Sequence, residues 1–197
     1  MLVVSVADAT TRAAAIGAAL AAGVDAVQLR DRGAPGGTLL TAALALRATT
    51  RRYGARFLVN DRLDVARAAG ADGVHLPAAS FSLADARRLL GPSALIGRST
   101  HAPEEAIAAG RAGADYIVLG PIFATPSKAA YGAPLGLEAI VAAGVACPVP
   151  VVAIGGITPE RAVEARAAGA RGVAVVRAVL DAADPGVVAA ALVAAIR

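Results

Sequence analysis

The 197-residue sequence has no tryptophan, one cysteine, one methionine and two histidines, and aromatic residues make up only 3% of it. Each shortage excludes something. A lone Cys147 rules out a disulfide framework and a multi-cysteine metal site, and its place beside Pro148 in an apolar run fits a core thiol. Scarce aromatics remove the stacking platforms that hold single-stranded nucleic acid. The lysines and arginines are scattered, so the net charge of +4 and the pI near 10.0 do not argue for a nucleic-acid partner. They suit a basic pocket for anionic substrates. With 57% hydrophobic and 17% charged residues, disorder is excluded. No apolar run is both long and unbroken: Ala139–Ile157 approaches membrane length, but Pro148, Pro150 and Gly155-Gly156 divide it into a helix end and a strand. No basic–apolar–small leader pattern opens the sequence. A cytoplasmic chain with neither a membrane nor a nucleic-acid partner is expected.

What is present is a repeated alternation. The phrase AAGVDAVQL at Ala21 recurs as AAGADGVHL at Ala68, AGADYIVL at Ala112 and AAGARGVAV at Ala167. Each is a helix end, a glycine suited to the left-handed position that closes a helix, a polar turn residue and a strand. Strands are expected at Leu2–Val6, Val24–Leu29, Arg56–Val59, Gly73–Leu76, Leu95–Gly97, Tyr116–Leu119, Val151–Ile154 and Gly172–Val176. Helices are expected between them, with Pro35-Gly36-Gly37 as a turn before Leu39–Tyr53 and a last helix from about Pro185. Strict alternation argues for a parallel sheet, and eight units argue for an α/β (β/α)₈ TIM barrel spanning 1–197 as one domain. An open doubly wound sheet is the alternative, but the G-x-G-x-x-G turn after its first strand is missing. Barrels of this size often pair, and the apolar tail Val187–Ile196 is a candidate for a covered face in a homodimer.

In such a barrel chemistry belongs at the strand C-termini. Polar residues gather there: Gln28, Arg30 and Arg32, Asn60-Asp61, His75, Ser99, His101, Thr125, Ser127, Lys128 and Arg177. The strand N-ends are mostly Ala, Val and Gly. In Val151–Glu160 an apolar strand runs into Gly155-Gly156, with Thr158 as a helix N-cap and Pro159 at the first helical position. That arrangement offers backbone amides to an anion. Arg30 suits a bidentate phosphate contact and Lys128 a mobile charge. Asp61 suits Mg²⁺ on a diphosphate, or else a helix N-cap before Leu63. His75 is either a site residue or a core histidine bonded to backbone. His101 is either catalytic or a cap for the next helix, and Arg30 and Arg32 are either ligand-binding or solvated. The loop Ala124–Leu135 is long for a βα connection and is expected to close over the ligand.

Taken together, these segments resemble the thiamin phosphate synthase/thiazole tautomerase superfamily over the whole chain. Gln28-Leu29-Arg30-Asp31-Arg32, Val59-Asn60-Asp61-Arg62, Gly73-Val74-His75-Leu76, Ile96-Gly97-Arg98-Ser99, Gly120–Lys128 and Ala153–Thr158 carry the resemblance. It implies a Mg²⁺-dependent transferase that joins a hydroxymethylpyrimidine diphosphate to a thiazole phosphate, releasing diphosphate. By matched position it implies that Gln28, Arg30, Arg32, Asn60, Ser99 and Lys128 bind the pyrimidine diphosphate and that Asp61 binds Mg²⁺. Thr125, Ser127, Gly156, Val176 and Arg177 would hold the thiazole phosphate, with Lys128, Arg30 and Ser99 nearest the chemistry. Three departures stand out. Ser80 occupies the position of the synthase's second Mg²⁺-binding Asp. Arg32 replaces a Lys, and Arg177 replaces a Ser. Ser80 and the run His75-Leu76-Pro77 resemble the tautomerase branch, a metal-free isomerase, whereas Pro121 stands where that branch has its active-site His. Mixed loss of both branches' residues would also fit a non-catalytic phosphate-binding barrel.

Overall fold

A computed structural model describes residues 1–125 and 133–197. Eight strands form one parallel sheet in sequence order: β1 Leu2–Val4, β2 Ala26–Leu29, β3 Arg56–Asn60, β4 Gly73–Leu76, β5 Leu95–Thr100, β6 Tyr116–Leu119, β7 Val151–Ile154 and β8 Gly172–Ala174. The sheet closes on itself. Leu2 bridges Val175, and Val3 N–H donates to the Val175 carbonyl at 2.9 Å. The architecture is the expected (β/α)₈ barrel, and the open sheet is excluded.

The helices among the described residues are α1 Val6–Thr11, α2 Ala13–Ala21, α3 Gly36–Arg52, α4 Leu63–Ala68, α5 Leu83–Leu90, α6 Pro103–Arg111, α7 Leu137–Ala146, α8 Pro159–Ala167, α9 Arg177–Leu180 and α10 Pro185–Ile196. None is long and apolar enough to cross a membrane. The main core lies between sheet and helices. Leu2, Val4, Val27, Leu29, Phe57, Val59, Leu76, Ile96, Ile117 and Leu119, from alternate strand positions, pack there against helix residues such as Ile16, Leu39, Ile140 and Leu192. The other parity faces the lumen, where Val3, Leu58 and Val118 share the space with buried Gln28, Asn60 and His75.

The repeated glycines take the backbone that the sequence requires of them, with φ of 98° at Gly23, 60° at Gly70, 99° at Gly113 and 108° at Gly169. The strand N-ends, expected to be apolar, hold two charged staples as well. Asp72 accepts the Phe57 N–H at 2.7 Å and pairs with Arg47 at 2.7 Å; Asp115 accepts the Ile96 N–H at 2.7 Å and pairs with Arg87 at 2.7 Å. A carboxylate after a helix stop ties the preceding strand to the helix just before that strand, which the spacing alone did not reveal. Other boundaries move too. Val6 belongs to α1, because Ser5 and Asp8 form a capping box. Gly36-Gly37 opens α3 behind Pro35, and β8 stops at Ala174, so Val176 is the N-cap and Arg177 the first residue of the short α9. The apolar tail is partly covered within the chain: α10 packs on α2 and α8, burying Ala189 and Leu192, while Val187 on its outer face is 64% exposed.

Candidate active site

The C-terminal ends of the strands surround a cavity of about 980 Å³. Gln28, Arg30, Arg32, Asn60, Asp61, His75, Ser99, Thr125, Gly155, Gly156, Val176 and Arg177 all line it, together with Asp31, His101 and Pro121. Ser127 and Lys128, and most of the loop expected to close over the ligand, lie outside the described residues. A smaller depression of about 450 Å³, lined by Arg67 and Arg88 among others, sits between α4 and α5, away from this end of the barrel.

The floor of the cavity is a layer of buried polar side chains. Gln28 and Asn60 meet through the Gln28 amide and the Asn60 carbonyl at 3.3 Å. Asn60 lies in register with His75, His75 with Gly97, and Gly97 with Tyr116. His75 is only 3% exposed, and its ring bonds side chains rather than the backbone partner expected for a core histidine: Nε2 to the Ser99 hydroxyl at 2.7 Å and Nδ1 to the Tyr116 hydroxyl at 3.2 Å. Burial, then the charges of Arg30 and Arg98, push its pKa down to about 3, so the imidazole is neutral at pH 7. Burial also raises the Tyr116 pKa, which keeps the phenol protonated. Tyr116 was not among the residues suggested by the sequence, because it opens a strand rather than ending one.

Above this layer, one wall carries the carboxylate of Asp61. Asp61 has φ of 66°, the only non-glycine residue with positive φ among those described, a conformation that Asp tolerates better than most residues. It does not cap α4; Arg62 occupies the N-cap position without a side-chain cap. Its carboxylate instead accepts a hydrogen bond from the Ser80 hydroxyl. Arg98 braces the segment that carries Ser80, donating to the carbonyls of Ala78 and Phe81 at 2.9 Å each. No cluster of three or more His, Cys, Asp or Glu side chains gathers among the described residues. One carboxylate suits a Mg²⁺ ion that keeps waters and shares oxygens of a phosphorylated substrate, not a cage made by protein alone.

The opposite wall is built from β7, β8 and the segment after β6. Gly155 and Gly156 have φ of 99° and 65°. A Cβ on Gly156 would lie 2.6 Å from the Ala124 carbonyl and 2.9 Å from Phe123 Cβ, so only glycine fits. Arg161 fastens this turn: its guanidinium donates to the Gly156 carbonyl at 2.8 Å and lies 4.9 Å over the Phe123 ring. Thr158 caps α8 by accepting from Arg161 N–H at 3.3 Å. Across the mouth, Arg177 Nη2 donates to the Thr125 hydroxyl at 3.3 Å. His101 does not cap α6. Its Nδ1 lies 2.6 Å from the Gly120 carbonyl, which can only accept, so that nitrogen carries the proton. The ring ties the end of β5 to the cis Gly120-Pro121 peptide.

The geometry thus places two basic poles, Arg30 with Arg32 and Arg177 with the Gly155-Gly156 turn, on one cavity over a neutral polar floor. Residues 1–179 match the family model described as thiamine monophosphate synthase. A thiamine-phosphate synthase of Methanoculleus marisnigri is 50% identical over 166 residues, which cover 84% of this chain and 79% of that protein. One of Mycobacterium bovis is 47% identical over 178 residues, covering 85% and 80%. The solved structure of a thiamine phosphate pyrophosphorylase from Pyrococcus furiosus superimposes with a TM-score of 0.88 at 34% identity, covering 99% of this chain and 94% of that one. The chain belongs to the thiamine monophosphate synthase family.

Proposed function

We propose that this chain is the transferase that joins a hydroxymethylpyrimidine diphosphate to a thiazole phosphate, giving thiamin monophosphate and diphosphate. The observation that carries the reading is the pairing of two anion-holding walls on one cavity, which suits two phosphorylated substrates meeting head to head. The bond between the pyrimidine methylene and the diphosphate oxygen breaks, and the electron pair leaves with the diphosphate. The thiazole ring nitrogen then supplies the pair for the new C–N bond. Arg30 and Arg32 hold the departing diphosphate, and electrostatic stabilisation of that leaving group supplies most of the rate. Lys128 has the same task by its place in the motif. Gln28, Asn60 and Ser99 orient the pyrimidine. Thr125, Ser127, Gly156, Val176 and Arg177 hold the thiazole phosphate, and His75 keeps Ser99 in place.

Asp61 is the residue that would hold Mg²⁺, which supplies charge neutralisation of the diphosphate when bound. The isomerase reading is weakened by relatives that are named as synthases and by Pro121. A cytoplasmic location follows from the biosynthetic role. A homodimer through the outward valines of α7 and α8 (Val141, Val145 and Val163) is part of the reading, and sedimentation would detect it. The function is tested by complementation. A bacterial strain lacking its own synthase should grow without thiamin when it carries this chain, and should not when it carries Arg30→Ala. Failure of the intact, expressed chain to support growth would count against the reading.

A further inference from the structure

We propose that Tyr116 is a positioning residue: its phenol donates to Nδ1 of His75, holds that ring as the Nε2–H tautomer, and so leaves the Ser99 hydroxyl hydrogen free to point into the cavity as a donor. The geometry has three parts. His75 Nδ1 lies 3.2 Å from the Tyr116 hydroxyl and Nε2 lies 2.7 Å from Ser99 Oγ, so the three side chains form one chain of hydrogen bonds ending at the cavity. The Tyr116 ring is seated for this contact. It lies across Gly97, where an added Cβ would stand 2.0 Å from Tyr116 Cζ, and its centroid is 5.6 Å from that of His75. A side chain at position 97 would push the ring away, so this glycine is a condition of the contact.

The direction of the chain follows from the donor inventory. A phenol has one hydrogen, and among the described residues it meets Nδ1 of His75. If Nδ1 carried the proton it would donate to the phenol oxygen, and the phenol hydrogen would be left without an acceptor, a loss on the scale of ~1–3 kcal/mol. With Nδ1 as acceptor, Nε2–H donates to Ser99, whose own hydrogen is then available to a ligand acceptor. That the acceptor is a pyrimidine nitrogen or a diphosphate oxygen rests on the transferase reading; the tautomer does not.

The test uses ¹⁵N-histidine NMR on the intact protein at pH 7. The chain has only two histidines, and His101, protonated on Nδ1 towards Gly120, serves as the internal opposite. His75 should show a protonated Nε2 and a bare Nδ1, and Tyr116→Phe should convert it to a mixture or to the other tautomer. In coupling assays Tyr116→Phe should lower kcat roughly tenfold, the scale of one buried hydrogen bond, with KM for the thiazole phosphate unchanged. The double variant with Ser99→Ala should be no worse than Ser99→Ala alone. A protonated Nδ1 on His75 in the unaltered protein, a tautomer indifferent to Tyr116→Phe, or additive losses would overturn the proposal. If no coupling is detected, the transferase reading fails while the NMR result still decides the tautomer.

Discussion

The Ser80 hydroxyl donates to the Asp61 carboxylate, so position 80 lies within contact range of the carboxylate assigned here to Mg²⁺. The contact depends on two supports: Asp61 in a left-handed turn with φ of 66°, and Arg98 holding the Ala78–Phe81 segment. With one carboxylate, an ion would depend heavily on the substrate's own oxygens. Ser80→Asp should therefore lower the Mg²⁺ concentration needed for half-maximal rate and leave thiazole phosphate KM unchanged. Asp61→Ala should reduce kcat by about a hundredfold or more, the scale of losing a main electrostatic contact. Were the pair only a loop tether, both variants would keep the Mg²⁺ response of the parent, and a magnesium titration of the three proteins separates the cases.

The wall formed by Gly156, Thr125 and Arg177 predicts a separate phenotype. Arg177→Ala should raise KM for the thiazole phosphate by roughly tenfold, in the range for a charged hydrogen bond, with little change in kcat. Gly156→Ala should cost more, since its Cβ meets the Ala124 carbonyl at 2.6 Å and its φ is 65°. Crystals grown in sulfate should show the anion within hydrogen-bond reach of the Gly156 N–H. An anion bound elsewhere in the cavity, with this turn empty, would contradict the assignment.

His75 makes stability depend on pH. Its pKa is about 3 in the folded chain against 6.5 as the ordinary value, so between these limits the unfolded chain binds a proton that the native chain does not. Stability should fall as pH drops through this window, by up to about 1.4 kcal/mol per pH unit from this one group. The slope should fade as pH rises past 6.5, where the unfolded imidazole also loses its proton. Urea unfolding of the parent and His75→Gln, compared at pH 7 and pH 4.5, isolates the term. The variant should be less stable at pH 7 yet lose less on acidification. An identical slope in both proteins would show that His75 titrates normally.

Much of this site was legible because barrel strands put polar side chains at one predictable end. Gln28, Asn60 and Ser99 lie in the C-terminal parts of β2, β3 and β5, Gly155-Gly156 follow β7, and all of them line the cavity. Tyr116 stayed hidden because it starts its strand, and only the pairing of β4 and β6 on either side of Gly97 in β5 brings its hydroxyl to His75. Arg161 stayed hidden for a similar reason, lying inside α8 and reaching back to Gly156. The staples Asp72–Arg47 and Asp115–Arg87 join residues 25 and 28 positions apart, a separation that local pattern does not encode. Asp61 carried two readings in sequence, and the backbone removes one: a residue at φ of 66° that leaves the N-cap to Arg62 is not a cap.

The central claim is tested most directly by following diphosphate release and thiamin monophosphate formation in one reaction. Purified protein is mixed with hydroxymethylpyrimidine diphosphate and thiazole phosphate, with Mg²⁺ or with EDTA. The account predicts the two products in equal amounts, dependent on both substrates and abolished by EDTA. Aromatisation of a thiazole carboxylate phosphate that proceeds in EDTA and is unchanged in Asp61→Ala, with no thiamin monophosphate formed, would contradict it.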